Sequence, residues 1–467
     1  MAILSEEFGA PLPERDPPCM WKDLLSQLSS RPDALAVACV HQPPDMFGIP
    51  TLPLDDDDFR AKPYLRWSFR SLCLGIEQLV KALRPLGVKQ STPIVTFVQN
   101  SIEFVLITYA AIKLGCVMIP ISPRNLTNEE EVRHMIKTGI SVCNGQRPIV
   151  LAGDEHLAFQ VDELGQLPDA VKIILGAHRY SDWTTFQSLM DESAQNVDAD
   201  GALTPSTPEK GGTVLFTSGT TSLPKGIYRL NSGWASAYIG RGMLEGHIEA
   251  GDRLVCSLPN NHAMGFICMT NSLGVGASTI FPGSAFDPEL MLETLYREKV
   301  SHATMVPTMI HALVAVKAAK FPDKPLSDLR NVTFGGASLS PETLSLVTQE
   351  LGGGGAENIY GCTEGAFLSG GCMSDFTRII DGHDVAVGWP LAGYGIRIVD
   401  PETDKIVPRG TLGEIHGCGP TVDGPYIGGV GAHNWYEDGG RLWYKTGDAG
   451  RMDDKGRTFV TGRFKDM

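Results

Sequence analysis

The alternation of short apolar segments with helical patterns constrains the fold of this chain more than any other feature of its sequence. Residues 94–98 predict a buried strand, residues 102–114 a helix and residues 117–121 a second strand. Ser68 precedes a helical pattern that carries Leu72, Ile76 and Leu79 on one face, so it is a candidate N-cap. Thr127 with Glu130 predicts a capping box at the start of a later helix. Strand, helix and strand in succession form a βαβ unit with parallel strands, so the pattern predicts an α/β fold.

The rest of the chain divides into stretches of different pattern. Residues 1–66 are predicted to be irregular, and a polar stretch over residues 191–212 predicts a linker between two α/β halves. In the second half the alternation returns, with predicted strands at 214–217, 254–258, 279–281, 303–306, 332–334 and 358–360. After Gly393 the helical patterns stop. Short strands at 396–399, 413–416, 441–444 and 458–461 then predict a small β-barrel.

Composition excludes some partners. The 39 basic and 54 acidic side chains give a net charge of −15, so a nucleic acid, which requires a basic surface, is not expected as a partner. No apolar run is long enough to predict a membrane span, and the N-terminus lacks the pattern of a secretory signal. The ten cysteines contain no C-x-x-C pair, which favours a reducing compartment, with the cytoplasm as the default.

A loop rich in Gly, Ser and Thr carries the first chemical signal. Residues 216–226 read FTSGTTSLPKG and follow an apolar strand. Backbone N–H groups and hydroxyls in such a loop can face phosphate oxygens, with Lys225 as a mobile positive charge. The loop is not a Walker A motif, because Pro224, Lys225 and Gly226 stand where that motif needs G-K-[ST].

Three further segments carry charge at predicted strand ends or turns. Residues 360–365 (YGCTEG) follow a strand, and residues 444–448 (YKTGD) and 462–466 (GRFKD) close the chain. Ligands in open α/β sheets bind at the carboxyl ends of strands, so these residues are candidates for a common site.

In this order and spacing, the four segments resemble the adenylate-forming (AMP-binding) superfamily of acyl- and aryl-CoA synthetases, nonribosomal-peptide adenylation domains and luciferases. Weaker segments at 115–123, 259–262, 335–337 and 413–415 agree with the same family. The resemblance covers about residues 67–467. It implies two stacked α/β subdomains with mostly parallel sheets flanked by helices, a small C-terminal β-barrel, and the absence of the family's small mobile C-terminal domain.

The implied division of the chain follows these landmarks. It comprises an irregular segment (1–66), a first α/β subdomain (67–205), a second that carries the ATP and acyl sites (206–392), the barrel (393–461) and a hinge (462–467). Because the chain stops within the hinge motif, the resemblance also implies low turnover. A peroxisomal address would lie beyond Met467.

The resemblance assigns roles to individual residues. The phosphate loop comprises Thr217, Ser218, Gly219, Thr220, Thr221 and Lys225. Glu364 matches the carboxylate that binds Mg²⁺, and Thr363 matches a neighbouring phosphate contact. Asp448 matches the carboxylate that accepts hydrogen bonds from the ribose hydroxyls, and Arg463 matches a second ribose or phosphate contact. The adenine contacts are predicted to be Gly336, Ala337, Asn358 and Tyr360, and Gly361 is also predicted to bind ATP. One departure is Ser222, where the family usually has Gly. Glycine adopts positive φ freely, whereas serine does not.

The resemblance also locates a pocket for the acid. Its predicted lining is Tyr238, His262, Met264, Phe266, Gly335, Gly361 and Phe367. His262 matches a gate between acyl pocket and thiol tunnel, with a purely structural histidine as the alternative. Residues 261–266 contain no Asp or Glu that would pair with a substrate ammonium, which favours a fatty or aryl acid over an amino acid.

These features predict an enzyme, with Lys225, His262, Thr363 and Glu364 as candidate catalytic residues. It would use ATP and Mg²⁺ to convert a carboxylic acid to its acyl-AMP, with CoA as the acceptor. Two alternatives remain open: an adenylation domain that serves a phosphopantetheinyl carrier domain, as in a nonribosomal-peptide-like synthetase or a carboxylic acid reductase, and a non-catalytic nucleotide-binding regulator. The intact set of Lys225, Glu364, Asp448 and Arg463 argues against the regulator.

Overall fold

The computed structural model describes residues 3–14, 18–54, 62–176, 178–194, 211–217, 223–244, 247–352, 354–371, 376–382 and 384–464. Residues 218–222 of the predicted phosphate loop, most of the predicted linker and residues 465–467 of the predicted hinge lie outside these ranges.

The α-helices all precede the C-terminal β-rich part of the described chain. They are α1 (Met20–Ser30), α2 (Phe69–Leu83), α3 (Ile102–Leu114), α4 (Glu129–Ile140), α5 (Glu155–Leu164), α6 (Phe186–Ala194), α7 (Asn231–Arg241), α8 (Ala263–Val275), α9 (Pro288–Arg297), α10 (Pro307–Lys320) and α11 (Pro341–Leu346).

The strands are mostly short. They are β1 (Glu6–Phe8), β2 (Leu35–Cys39), β3 (Leu65–Ser68), β4 (Pro93–Phe97), β5 (Val117–Pro120), β6 (Ile149–Ala152), β7 (Val171–Ile174), β8 (Thr184–Thr185), β9 (Gly212–Thr217), β10 (Lys225–Leu230), β11 (Arg253–Val255), β12 (Ser278–Phe281), β13 (His302–Met305), β14 (Asn331–Phe334), β15 (Gly355–Cys362), β16 (Ala366–Gly370), β17 (Ile380–Asp381), β18 (Asp384–Val385), β19 (Trp389–Pro390), β20 (Gly395–Asp400), β21 (Lys405–Ile406), β22 (Gly413–Cys418), β23 (Trp435–Asp438), β24 (Arg441–Met452) and β25 (Thr458–Arg463).

The first large sheet has the order β10-β9-β5-β4-β6-β7-β8. Its inner pairs are parallel, and only the edge strand β10 is antiparallel. The predicted βαβ unit of β4, α3 and β5 is confirmed. The Ser101 hydroxyl caps α3 by accepting a hydrogen bond from the Phe104 N–H, and Gly115 ends the helix at φ 67°, where glycine is unstrained.

The second large sheet has the order β19-β16-β15-β14-β13-β11-β12-β2-β3. The run from β15 to β2 is parallel, while β3 and β16 are added antiparallel at the two sides. Both sheets therefore have a parallel interior, which the buried apolar strands predict. The α/β architecture is confirmed.

The C-terminal part contains an antiparallel sheet with the order β1-β20-β22-β24-β23, to which β21 and β25 add. The predicted change to a β-rich subdomain is thus confirmed. Where a barrel is predicted, the pairings of the described strands form a sheet, and none of them closes it into a ring.

One apolar core joins the two large sheets through α1, α2, α3 and α8. Helix α3 is buried on every face, as a helix between two sheets must be. Within the described ranges no helix combines the length and apolarity that a bilayer crossing needs.

Several local predictions are wrong. Residues 1–66 are not irregular, because they contain β1, α1 and β2 and the start of β3. The N-cap of α4 is Asn128, which accepts a hydrogen bond from the Glu131 N–H, instead of Thr127 with Glu130. The sheets also cross the predicted boundaries, since β2 and β3 join the second sheet and β9 and β10 the first. Strand pairing across these distances has no local sequence signal.

Candidate functional site

A cavity of about 1060 Å³ opens where the carboxyl ends of strands from both large sheets meet the C-terminal sheet. Thr217 is the last residue of β9, Gly335 follows β14, and Gly361 lies near the end of β15. The lining residues are Pro120, Asn125, Glu131, Met135, Phe216, Thr217, Pro224, Lys225, Asn261, His262, Ala263, Met264, Ile267, Gly335, Gly336, Ile359, Gly361, Cys362, Thr363, Glu364, Glu414, Tyr426, Asn434, Tyr444, Lys445, Thr446, Gly447, Asp448, Arg463 and Phe464.

The cavity brings together residues from all four charged segments, which are far apart in sequence. We call the part around Lys225, Glu364, Tyr426, Asp448 and Arg463 the polar end. Lys225 and Glu364, which the sequence makes candidates for a common site, line the same cavity.

The β9–β10 hairpin supplies one wall of the polar end. Thr217 is the last residue of β9, Lys225 is the first of β10, and the two are paired in antiparallel register. Lys225 therefore lies at the start of a strand, whereas the sequence predicts it within the loop. Thr217 and Lys225 both line the cavity, and Pro224 lines it beside them.

A second wall is the turn that follows β15. Glu364 is buried, and the Tyr426 hydroxyl donates a hydrogen bond to its Oε1. The Lys225 ammonium lies 5.2 Å from the centre of the Tyr426 ring, within the range of a cation–π contact. Tyr426 thus touches both the lysine and the carboxylate. The Tyr444 hydroxyl lies 3.5 Å from that of Tyr426.

Arg229 connects these two walls from behind. It is on β10, four residues after Lys225, and its Nη2 donates to the Thr363 carbonyl at 2.6 Å. The guanidinium is 1% exposed, stacks on Trp234 at 5.1 Å, and has no hydrogen-bond partner at Nε or Nη1. Burial lowers the pKa of Arg229, an effect that the nearby Asp423 carboxylate opposes. Arg229 fixes the backbone of the turn relative to β10.

Asp448 occupies the third wall, on β24 opposite Arg463 of β25. Its Oδ2 accepts a hydrogen bond from the Tyr360 hydroxyl at 2.6 Å, and its Oδ1 lies 2.8 Å from the Arg463 Nε. Burial raises the pKa of the Asp448 carboxyl, while the Tyr360 hydrogen bond and the Arg463 charge oppose that rise. The carboxylate is held in one orientation at the rim of the cavity.

The turn before Asp448 is held by Glu414. Gly447, at φ 74°, donates its N–H to Glu414 Oε1 at 3.0 Å. Glu414 Oε2 in turn lies 3.2 Å from His416 Nε2. Burial alone would raise the pKa of Glu414, but the hydrogen bond and charge of His416 lower it overall. The Glu414 carboxylate therefore supports the turn on which Asp448 sits.

The opposite part of the cavity, the apolar end, is formed by Ala263, Met264, Ile267, Gly335 and Ile359. A methyl group at Gly335 would lie 2.6 Å from Met264 Cε and 2.9 Å from Ile359 Cγ1, so a larger residue there would have to displace these two side chains. His262 stands at the mouth and is exposed to the cavity. Desolvation by the surrounding protein lowers the pKa of its imidazole.

Not every predicted residue lines this cavity. Tyr238 and Phe266 are buried behind it: Tyr238 bonds to Asp23 of α1, and Phe266 packs on Trp234 with ring centres 5.3 Å apart. Neither side chain lines the cavity, because α7 and α8 turn both rings into the core, and their contact with a substrate stays a prediction. The structure does not describe the side chain of Phe367.

The predicted adenine contacts divide in the same way. Gly336 lines the cavity, as does Gly361 of the predicted ATP site, whereas Ala337 is exposed beside it. Asn358 is buried and donates to the Ala386 carbonyl at 3.2 Å, and Tyr360 reaches the cavity only through its bond to Asp448. Their roles toward adenine remain predictions. Ser218, Gly219, Thr220, Thr221 and Ser222 lie outside the described residues.

Comparison with known proteins identifies the chain. Residues 50–427 match the family described as AMP-binding enzyme. The chain belongs to the AMP-binding enzyme family. It is 24% identical to the acyl–CoA ligase GME11374 of Pestalotiopsis microspora, over 94% of this chain and 77% of that protein. It is 26% identical to the indoleacetate–CoA ligase of Aromatoleum aromaticum, over 86% of this chain and 74% of that ligase.

The fold of this AMP-binding enzyme also matches solved structures. The luciferase-like enzyme from the nonluminescent mealworm Zophobas morio superposes with a TM-score of 0.80, at 18% identity, over 98% of this chain and 99% of the other. At that identity the likeness shows the fold alone, and it agrees with the α/β architecture described above.

A nucleotide with a divalent cation fits the polar end of this AMP-binding enzyme. Its lining carries four carboxylates (Glu131, Glu364, Glu414, Asp448) and three cations (Lys225, Lys445, Arg463), so it does not by itself neutralise a triphosphate. The described residues contain no group of three metal-ligating side chains. Magnesium typically takes one or two carboxylates and completes its shell with phosphate oxygens and water, so Glu364 alone suits it.

Sequence reasoning missed several lining residues. Tyr444 lies in the segment 444–448 and Glu414 in the weaker segment 413–415. The sequence therefore points to both positions but assigns no role to either side chain. Tyr426 had none, because it lies in the Gly- and Pro-rich stretch 419–431, whose path the pattern does not predict. Its contact with Glu364 depends on tertiary structure.

Proposed function

We propose that this protein uses ATP to activate a carboxylic acid that lacks an α-amine, forms the acyl-AMP with release of pyrophosphate, and serves transfer of the acyl group to CoA. The observation that carries the proposal is one cavity with a charged end next to an apolar end. The charged end suits a nucleotide, and the apolar end suits the carbon skeleton of an acid.

The polar end supports binding of the nucleotide. Lys225 offers a positive charge to the phosphates, beside the ends of the loop over residues 218–224. The Asp448 carboxylate, held by Tyr360 and Arg463, can accept hydrogen bonds from the two ribose hydroxyls. Glu364 would hold Mg²⁺, which supplies positive charge at the phosphates during the transfer.

The apolar end supports an acid without an amine. Its residues Ala263, Met264, Ile267, Gly335 and Ile359 include no carboxylate, so a substrate ammonium placed there would be buried without a partner. The carboxylate of the acid would instead point toward the polar end, near Gly361 and Thr363.

In the first step a carboxylate oxygen attacks the α-phosphorus, the bond from that phosphorus to the bridging oxygen breaks, and pyrophosphate leaves. In the second step a thiolate sulfur attacks the acyl carbon and AMP leaves. The protein's part is to align the two substrates and to stabilise the developing charge, which together supply most of the catalysis in phosphoryl transfer. His262 at the mouth is proposed to lie on the route of the thiol.

The test is exchange of labelled pyrophosphate into ATP with benzoate, hexadecanoate, phenylalanine or no acid. We expect exchange with an acid that lacks an α-amine and none without acid. Exchange with phenylalanine alone, or exchange that needs no acid, would contradict the proposal.

Two matched variants accompany this assay. Lys225→Ala should lose exchange, whereas Lys405→Ala, at an exposed lysine of β21, should keep it. Product analysis with CoA then separates a CoA ligase from a domain that needs a carrier: acyl-AMP that accumulates without acyl-CoA would favour the carrier.

A further inference from the structure

The strands β14 and β15 form both the lining of the apolar end and the layer beneath it. Gly335 and Ile359 line the cavity, and the residues two positions earlier on the same face, Thr333 and Glu357, do not. Two residues along a strand span about 6.6 Å, so this second layer lies that far below the first.

A buried ion pair fills the second layer. Arg241 of α7 donates from Nη2 to Glu357 Oε2 at 2.8 Å and to the Thr333 hydroxyl at 2.8 Å. The Thr333 hydroxyl also lies 3.2 Å from Glu357 Oε2. Glu357 is 0% exposed and Arg241 7% exposed. An alkyl chain that entered this layer would have to separate the pair, which leaves an uncompensated buried charge.

Between α7 and α8 the described side chains also pack closely. Phe266 packs on Trp234, and Tyr238 stands against Gly274, where a methyl group would come within 2.9 Å of the ring. Along α8 the cavity reaches Ala263, Met264 and Ile267, but the next turn, with Thr270 and Asn271, does not line it. The apolar end therefore follows α8 for only about one helical turn, roughly 5–6 Å.

We propose that the apolar end is a short, closed pocket that accepts a compact acid, with a short chain or one aromatic ring, and rejects long alkyl chains. This inference rests on the proposed function. The Arg241–Glu357 pair is the floor of the pocket, and Phe266 with Trp234 is its side wall.

The test measures binding of acyl adenosine 5′-sulfamates, stable mimics of acyl-AMP, by calorimetry. The acyl groups are butanoyl, benzoyl and hexadecanoyl. We expect butanoyl or benzoyl to bind on the order of 100-fold more tightly than hexadecanoyl, since exclusion by shape discriminates by such factors. Equal affinity for hexadecanoyl would overturn the short pocket. Failure of all three mimics and of ATP to bind would instead overturn the proposed function, and this inference with it.

Two substitutions open the wall. Phe266→Ala should raise hexadecanoyl affinity at least about tenfold and leave butanoyl affinity within about threefold. Phe69→Ala, at an equally buried phenylalanine of α2, controls for loss of stability and should not change the preference. If Phe266→Ala does not fold, Met264→Ala, at the lining itself, should shift the preference in the same direction. A folded variant of either kind with an unchanged preference would contradict the side wall.

Discussion

The two ends of the cavity are built in different ways. The polar end draws its side chains from β10, the turn after β15, the stretch around Tyr426, β24 and β25, which are spread over more than half of the chain. The apolar end comes mainly from α8 and the ends of β14 and β15. The polar end therefore depends on a few contacts between elements that are distant in sequence. The apolar end depends on close packing between one helix and the ends of two neighbouring strands.

The difference predicts how each end responds to substitution. At the polar end, loss of one charge or hydroxyl should affect binding or chemistry with little change in fold, because these side chains face the cavity. At the apolar end, a change of volume should affect which acid binds. Four substitutions at or beside the polar end sharpen the contrast.

Glu364→Ala should have the largest effect. Removal of the carboxylate proposed for Mg²⁺ should lower acid-dependent pyrophosphate release by about 10²–10³-fold, a typical loss for a group that stabilises transition-state charge. Binding of ATP measured in EDTA should change less than about tenfold. Glu437→Ala, at an exposed glutamate of β23, is the control. Equal losses in metal-free binding and turnover would argue against a metal role.

Asp448→Ala should weaken nucleotide binding by about 10–100-fold, since each hydrogen bond to a charged group contributes ~1.5–3 kcal/mol. Adenosine, which has no phosphate, isolates this contact in calorimetry. Because burial raises the pKa of Asp448, its carboxylate should take up a proton at a higher pH than an ordinary aspartate, and adenosine affinity should fall as pH falls through that range. Asp448→Asn should lack this pH dependence. If Asp448→Asn and the unaltered protein show the same pH profile, another group is responsible for the pH dependence.

Tyr426→Phe should cost about a factor of ten in turnover, from loss of the hydrogen bond to the Glu364 carboxylate, at the lower end of the ~1.5–3 kcal/mol that a bond to a charged group contributes. The ring under Lys225 remains in that variant, so Tyr426→Leu should lose about 0.5–2 kcal/mol more. Tyr444→Phe is the matched comparison and should lose less, because its hydroxyl contact is 3.5 Å long. Identical effects of the two Tyr→Phe changes would deny Tyr426 a particular role.

His416→Gln should have the smallest effect, on stability alone. Burial lowers the pKa of His416, so below the ordinary pKa of histidine the unfolded chain binds a proton that the native protein resists. Stability is therefore lost as pH falls through that range, and the glutamine variant should lose less. Thermal unfolding at pH 7 and pH 5 measures this, with His156→Gln, at an exposed histidine, as the control. If His416→Gln loses more stability between pH 7 and pH 5 than the unaltered protein does, the proposed effect of His416 is contradicted.

Much of this molecule could be predicted from local patterns. Apolar periodicity places α3 and β4 to within about one residue, because a helix or strand buried on all sides leaves a continuous apolar run. The positions of Lys225, Glu364 and Asp448 at strand ends and turns likewise follow from neighbouring residues. Residues 1–66 are the counterexample, since β2 and β3 are short and are stabilised by pairing with β12 and each other.

The sequence alone determined most of the order of elements after residue 66, the family and the charged residues that the cavity would need, because these depend on residues close together in the chain. Only the tertiary structure decided which side chains meet: Tyr426 between Lys225 and Glu364, Phe266 turned into the core, and Arg241 paired with Glu357. The physical reason is that periodicity tells which face of an element is buried but not which distant element buries it. Packing between elements that are far apart in sequence settles that choice.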